Sequence, residues 1–112
     1  MLTNLEPQIQ ERLGISLKEI VSFCQQWKIV EIALFGSVLG DKFRADSDID
    51  ILVKFAPNAK QGLLVLAKIK YELEKRIGRT VDIVVRESIE NSENWIRRQE
   101  ILGTAQIIYE QR

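Results

Sequence analysis

Apolar residues recur along this chain with two periods, and the switches between them predict its elements. In residues 4–13, Leu5, Ile9 and Leu13 return every fourth position, which predicts a short helix stopped by Gly14. Ser16 followed by Glu19 has the form of a capping box. The helix it opens carries an apolar stripe of Leu17, Ile20, Val21, Cys24 and Trp27. Residues 31–35 then form an apolar run that predicts a strand, and residues 48–55 (DIDILVKF) alternate from their first residue, as a strand does. Pro57-Asn58 marks a turn. The clearest helix follows at 61–76, striped by Leu63, Leu66, Ile69, Leu73 and Ile77, with Lys68/Glu72 and Glu72/Arg76 four apart on its solvated face and Gly78 at its end. Residues 80–85 read as a third strand and 93–102 as a helix closed by Gly103. Residues 106–109 read as a short strand at a sheet edge. This order predicts an α+β fold, a small mixed sheet flanked by helices.

The alternation in the second strand carries the chemistry. Asp48, Asp50 and Leu52 point to one face, while Ile49, Ile51, Val53 and Phe55 point to the other. Two carboxylates on one face of a strand stand roughly 7 Å apart at the backbone. Charges that close resist ionising together unless a cation lies between them, and Mg²⁺, which takes a few carboxylates plus waters and phosphates, suits such a place. Lys54 shares their parity but sits at the far, solvated end of the strand. Between the two strands, Gly36-Ser37 is a tight pair whose backbone N–H groups can form an anion-binding nest, although the same residues are common in plain turns.

Composition narrows the choice. At 112 residues the chain has room for one domain, expected over 1–112, and 46% hydrophobic with 29% charged residues is ordinary for a globular protein. Lys+Arg and Asp+Glu are 16 each, so there is no overall field to draw in nucleic acid. With no histidine, and with Cys24 as its one cysteine, the chain has no imidazole base and no cysteine-built zinc site. Any metal is held by oxygen, which favours Mg²⁺ or Mn²⁺. Cys24 lies inside an apolar stripe and reads as core rather than as a nucleophile. The N-terminal residues turn polar too soon for a signal peptide, and no apolar run is long enough to span a membrane, so a cytoplasmic location is expected.

Gly36-Ser37, ten residues, then Asp48-Ile49-Asp50 resembles the signature of the DNA polymerase beta-type nucleotidyltransferases, and the short chain resembles their minimal (MNT) members over about residues 17–109. The resemblance implies that Gly36 and Ser37 grip the triphosphate of ATP and that Asp48 and Asp50 hold two Mg²⁺ ions. It also implies a third carboxylate from a neighbouring strand, and Asp82, embedded in Val81-Asp82-Ile83-Val84-Val85, is the one on offer. Strands about 4.8 Å apart would let it join the other two. Asp82 would bind the metal at the acceptor and take the acceptor's proton.

The chain departs from the family pattern between its first two strands. Where many members carry a basic residue four after the Gly, this chain has Gly40, and Asp41 stands where a second Gly often follows. Lys42 and Arg44 are the nearby cations left to meet the phosphates, Ser47 orders the start of the strand, and Asp46 belongs to the turn. Minimal members commonly act beside a separately encoded helical HEPN ribonuclease toxin. The resemblance therefore implies an antitoxin of a type VII pair, forming a hetero-oligomer with that toxin and moving AMP from ATP to one of its tyrosine hydroxyls. Two alternatives stay open: an antitoxin that neutralises its partner by covering it, with nucleotide binding but no transfer, and a dimeric drug (aminoglycoside-type) nucleotidyltransferase. Trp95, Arg97 and Arg98 read either as a partner surface or, slightly favoured, as a core-covering Trp95 with solvated arginines.

Overall fold

The computed structural model describes residues 7–111. Leu5, in the first predicted helical stripe, lies outside them. The elements run α1 (Pro7–Leu13), α2 (Leu17–Trp27), β1 (Ile29–Phe35), a 3₁₀ turn (Gly36–Leu39), β2 (Ile49–Phe55), α3 (Leu63–Ile77), β3 (Val81–Val85), α4 (Arg86–Glu90), α5 (Trp95–Thr104) and β4 (Gln106–Glu110). One sheet has the order β3-β2-β1-β4. β1 is antiparallel to β2 and to β4, whereas β2 and β3 are parallel. A parallel pair needs a long crossover, and α3 provides it. The fold is α+β with a mixed sheet, as the element pattern predicts.

Both faces of the sheet are covered. On one, Ile32 and Leu34 of β1 and Ile49, Ile51 and Val53 of β2 pack against Phe23 and Cys24 of α2 and Ile69 and Leu73 of α3. Each such side chain, taken fully out of water, contributes about 1.5–3 kcal/mol. Burial pushes the Cys24 thiol up to about 12, as suits a core residue. The other face carries a smaller core. There Ala33 and Leu52 are buried under Ile89 of α4 and Ile101 of α5. Leu52, on the parity of the carboxylates, is therefore not solvated, because these helices cover that end of the face. Arg86 fixes α4 by bonding Glu31 of β1 at 3.2 Å and Glu90 at 3.4 Å.

Several details differ from the periodicity. Ser16 caps α2 as expected, with its hydroxyl accepting from Glu19 N–H at 3.2 Å. Leu63 does not join the α3 stripe but is 87% exposed, since it lies at the first helical position, ahead of the packed turn. Instead of a Lys68/Glu72 pair, Glu72 accepts from the Trp27 indole at 3.2 Å, and the ion pair formed is Lys70–Glu74 at 3.1 Å. Gly103 lies inside α5, which continues to Thr104. α4 was not anticipated; at five residues it is too short to show a period. Trp95 does not cover the core, being 58% exposed. Among the described residues, no helix is long and apolar enough to cross a membrane.

Candidate active site

The three carboxylates meet because of strand register. In the parallel pair, Asp50 stands directly beside Asp82, and in the antiparallel pair it stands opposite Phe35, the last residue of β1. Asp48 is in the residue before Ile49, just outside β2, and is exposed, as is Asp82. Asp50 is half-buried. Its carboxyl is held above the ordinary aspartate range, by burial first and then by the negative charges of Asp82 and Asp48. Asp50 therefore feels the charge of both neighbours at one end of the sheet.

Gly36 closes this corner. It has φ +77°, and a Cβ placed on it would lie 2.2 Å from the Asp50 Oδ2. Only a residue without a side chain fits between the strand end and that carboxylate. The next residues wind into the 3₁₀ turn, whose underside is fixed by the wholly buried Val38. Ser37 is half-buried on it, and its carbonyl accepts from Gly40 N–H at 3.0 Å.

The segment from Gly40 to Ser47 is held by two arginines that periodicity does not flag. Arg12 of α1 donates to the Val38 carbonyl at 2.9 Å and the Gly40 carbonyl at 2.7 Å. Arg79, after α3, donates to the carbonyls of Arg44, Ala45 and Ser47 at 2.9, 3.0 and 3.1 Å. Phe43 lies between them, with the Arg79 guanidinium 4.3 Å and the Arg12 guanidinium 5.1 Å from its ring centre. These partners are main-chain carbonyls and a ring face far away in sequence, so no local pattern announces them. The Ser47 hydroxyl accepts from Arg44 N–H at 2.8 Å, and Ser47 lines a cavity of about 530 Å³ with Arg79 and Thr80. Lys42 and Arg44 are exposed on the loop. Arg79→Ala should raise amide exchange across 43–47 at least tenfold and cost about 1–2 kcal/mol of stability. Exchange unchanged from wild type would mean the loop holds itself.

Gly36 and Asp50 share a cleft of about 560 Å³ with Phe35, Arg97, Glu100, Ile101 and Thr104. Among the described residues, no three acidic, cysteine or histidine side chains are gathered tightly enough to cage an ion unaided. Mg²⁺ needs no such cage, since one or two carboxylates, waters and substrate phosphates complete its shell. Asp50 at this cleft, with Asp82 beside it in register, offers only oxygen donors and fits such an ion.

A sequence profile of the nucleotidyltransferase domain matches residues 17–108. The chain is similar to a Methanocaldococcus jannaschii protein named "putative protein adenylyltransferase", at 35% identity over 72 residues, 64% of this chain and 75% of that one. It is similar to a solved structure described as a "putative minimal nucleotidyltransferase", with 32% identity, TM-score 0.61 and coverage of 80% and 85% of the two chains. A tri-AMPylated Shewanella oneidensis HEPN toxin in complex with its MNT antitoxin aligns at TM-score 0.59, covering 91% and 72%. At 17% identity that last likeness is one of fold.

Proposed function

This chain belongs to the nucleotidyltransferase domain family, and from that premise we propose that it is an Mg²⁺-dependent protein adenylyltransferase and the antitoxin of a HEPN-domain toxin. The observation that carries the reading is Asp50, set between Asp82 in register and a glycine that only a bare backbone could replace. The backbone of Gly36 and Ser37 takes the donor's β- and γ-phosphates, with Lys42 and Arg44 as flanking cations. Asp48, Asp50 and Asp82 would hold the Mg²⁺, which when bound supplies charge neutralisation at the attacking and leaving oxygens. An acceptor hydroxyl attacks the α-phosphorus, its proton passes to Asp82, and the bond to the bridging oxygen breaks to release pyrophosphate. Positioning and neutral charge carry most of such a step, so neither histidine nor a reactive cysteine is required.

A protein acceptor has places to touch: Leu63 and Leu64 opening α3, and Trp95 and Ile96 opening α5 on the other face of the sheet, are more than half exposed. The M. jannaschii relative's name and the AMPylated toxin in the structural neighbour point the same way. The covering reading rests on Gly40, which brings no cation. Yet Arg12 Nη1 stands 2.7 Å from the Gly40 carbonyl, so positive charge is present on that loop, and the catalytic reading is preferred.

Intact mass spectrometry of a HEPN-domain protein sought among the products of neighbouring genes, after incubation with this protein, ATP and Mg²⁺, tests the reading. A gain of one or more AMP units is expected, and none with Asp48→Ala/Asp50→Ala. A tight complex with no mass gain would leave only the covering role.

A further inference from the structure

The cleft over Gly36 and Asp50 has a second wall. α5 contributes Arg97, Glu100, Ile101 and Thr104, positions three, four and seven residues apart and so on one helix face. At about 560 Å³ the cleft falls within the ordinary size range of small-molecule sites. Arg97 is the one cation among its lining residues.

That guanidinium has no structural task. Arg98, next to it, donates to the Ser92 carbonyl at 3.0 Å, and Arg86 is paired with Glu31 and Glu90. Among the described residues, the Arg97 side chain has no hydrogen-bond, ion-pair or ring partner. Its position is also unhelpful to the helix. The Arg97 N–H donates to the capping Asn94 Oδ1 at 3.1 Å, which places Arg97 in the first turn of α5. The dipole of a helix favours anions there and disfavours cations. The Arg97 guanidinium, at the cleft also lined by Asp50 and Glu100, is paired with neither and is open to an anion from outside the protein.

We infer that Arg97 binds the phosphate chain of the nucleotide donor, gripping it from the α5 side, across the cleft from Gly36 and Ser37. The ligand class is a nucleoside di- or triphosphate, because a guanidinium fork matches non-bridging phosphate oxygens. The inference rests on the nucleotidyltransferase reading.

Calorimetric titration of ATP, ADP and AMP in Mg²⁺, with wild type, Arg97→Ala and Arg97→Lys, separates the possibilities. Arg97→Ala should weaken ATP and ADP about tenfold or more and leave AMP unchanged, with Arg97→Lys recovering part of the loss. Because the side chain is exposed, all three proteins should melt alike. Equal ATP affinity in wild type and Arg97→Ala would overturn the role of Arg97 alone. Equal losses for ATP and AMP would overturn the assignment to the phosphate chain. No nucleotide binding by wild type would overturn the nucleotidyltransferase reading itself.

Discussion

Asp50→Asn should lower nucleotidyl transfer on the order of a thousandfold and, at the same time, raise the melting temperature of the metal-free protein. The first effect follows from removing a charge that the proposed reaction uses. The second follows from what that charge costs when nothing neutralises it. The Asp50 carboxyl is held above its ordinary range, chiefly by burial, then by Asp82 and Asp48. A carboxyl whose folded-state pKa is raised binds its proton more tightly folded than unfolded. Its contribution to stability is complete below the unfolded pKa and is lost as pH rises through the folded one. As pH rises through the folded-state pKa, Asp50 therefore works increasingly against folding, and the similar-sized, neutral Asn does not. Scanning calorimetry should find wild type and Asp50→Asn melting together in acid and separating by a few degrees as pH rises. Mg²⁺ should close the gap by stabilising wild type more than the variant. A variant that melts lower than wild type at neutral pH would refute the repulsion account.

Gly36→Ala should cost about a hundredfold in transfer while leaving the protein folded. Two penalties are combined at this position. The first is backbone: φ is +77°, where an L side chain costs roughly 1–2 kcal/mol. The second is contact, since the new methyl would stand 2.2 Å from the Asp50 Oδ2 and 3.2 Å from its Cγ. One of the two must move, and the carboxylate is the softer. Gly78→Ala separates the penalties, because Gly78 has φ +80° with nothing within 4 Å of its would-be Cβ. Gly36→Ala should lose at least as much stability as Gly78→Ala by thermal melting, but only Gly36→Ala should lose activity. If Gly78→Ala were equally impaired, backbone strain rather than displacement of Asp50 would be the cause.

The sequence made the sheet and its carboxylates legible because both depend on short-range pattern. The alternation across 48–55 assigned Asp50 to one face, whereas Asp82 was marked for the neighbouring strand by the resemblance to the nucleotidyltransferases and only then by its place in an apolar run. The capping box at Ser16 and Glu19 is equally local. What escaped depends on distance. Arg12 and Arg79 act on carbonyls 26 to 35 residues away, and a carbonyl looks the same at every position. Parity put Leu52 on the face of the carboxylates, and nothing in its strand reports that α4 and α5 fold over it. Arg97 reads as one more exposed charge until α5 is seen to wall the cleft.

The place of Asp50 in the sheet decides which parts of the site are free to adapt. β2 is an inner strand, bonded to β1 on one side and β3 on the other. Backbone held that way is among the last to open. Asp82 lies on an edge strand, Gly36 and Ser37 on a short turn, and Arg97 at a helix end. The centre thus resembles a vice with one fixed jaw. Under the proposed function, accommodation to a different acceptor or donor would fall to the turn, the edge and the helix, while the inner strand stays as it is.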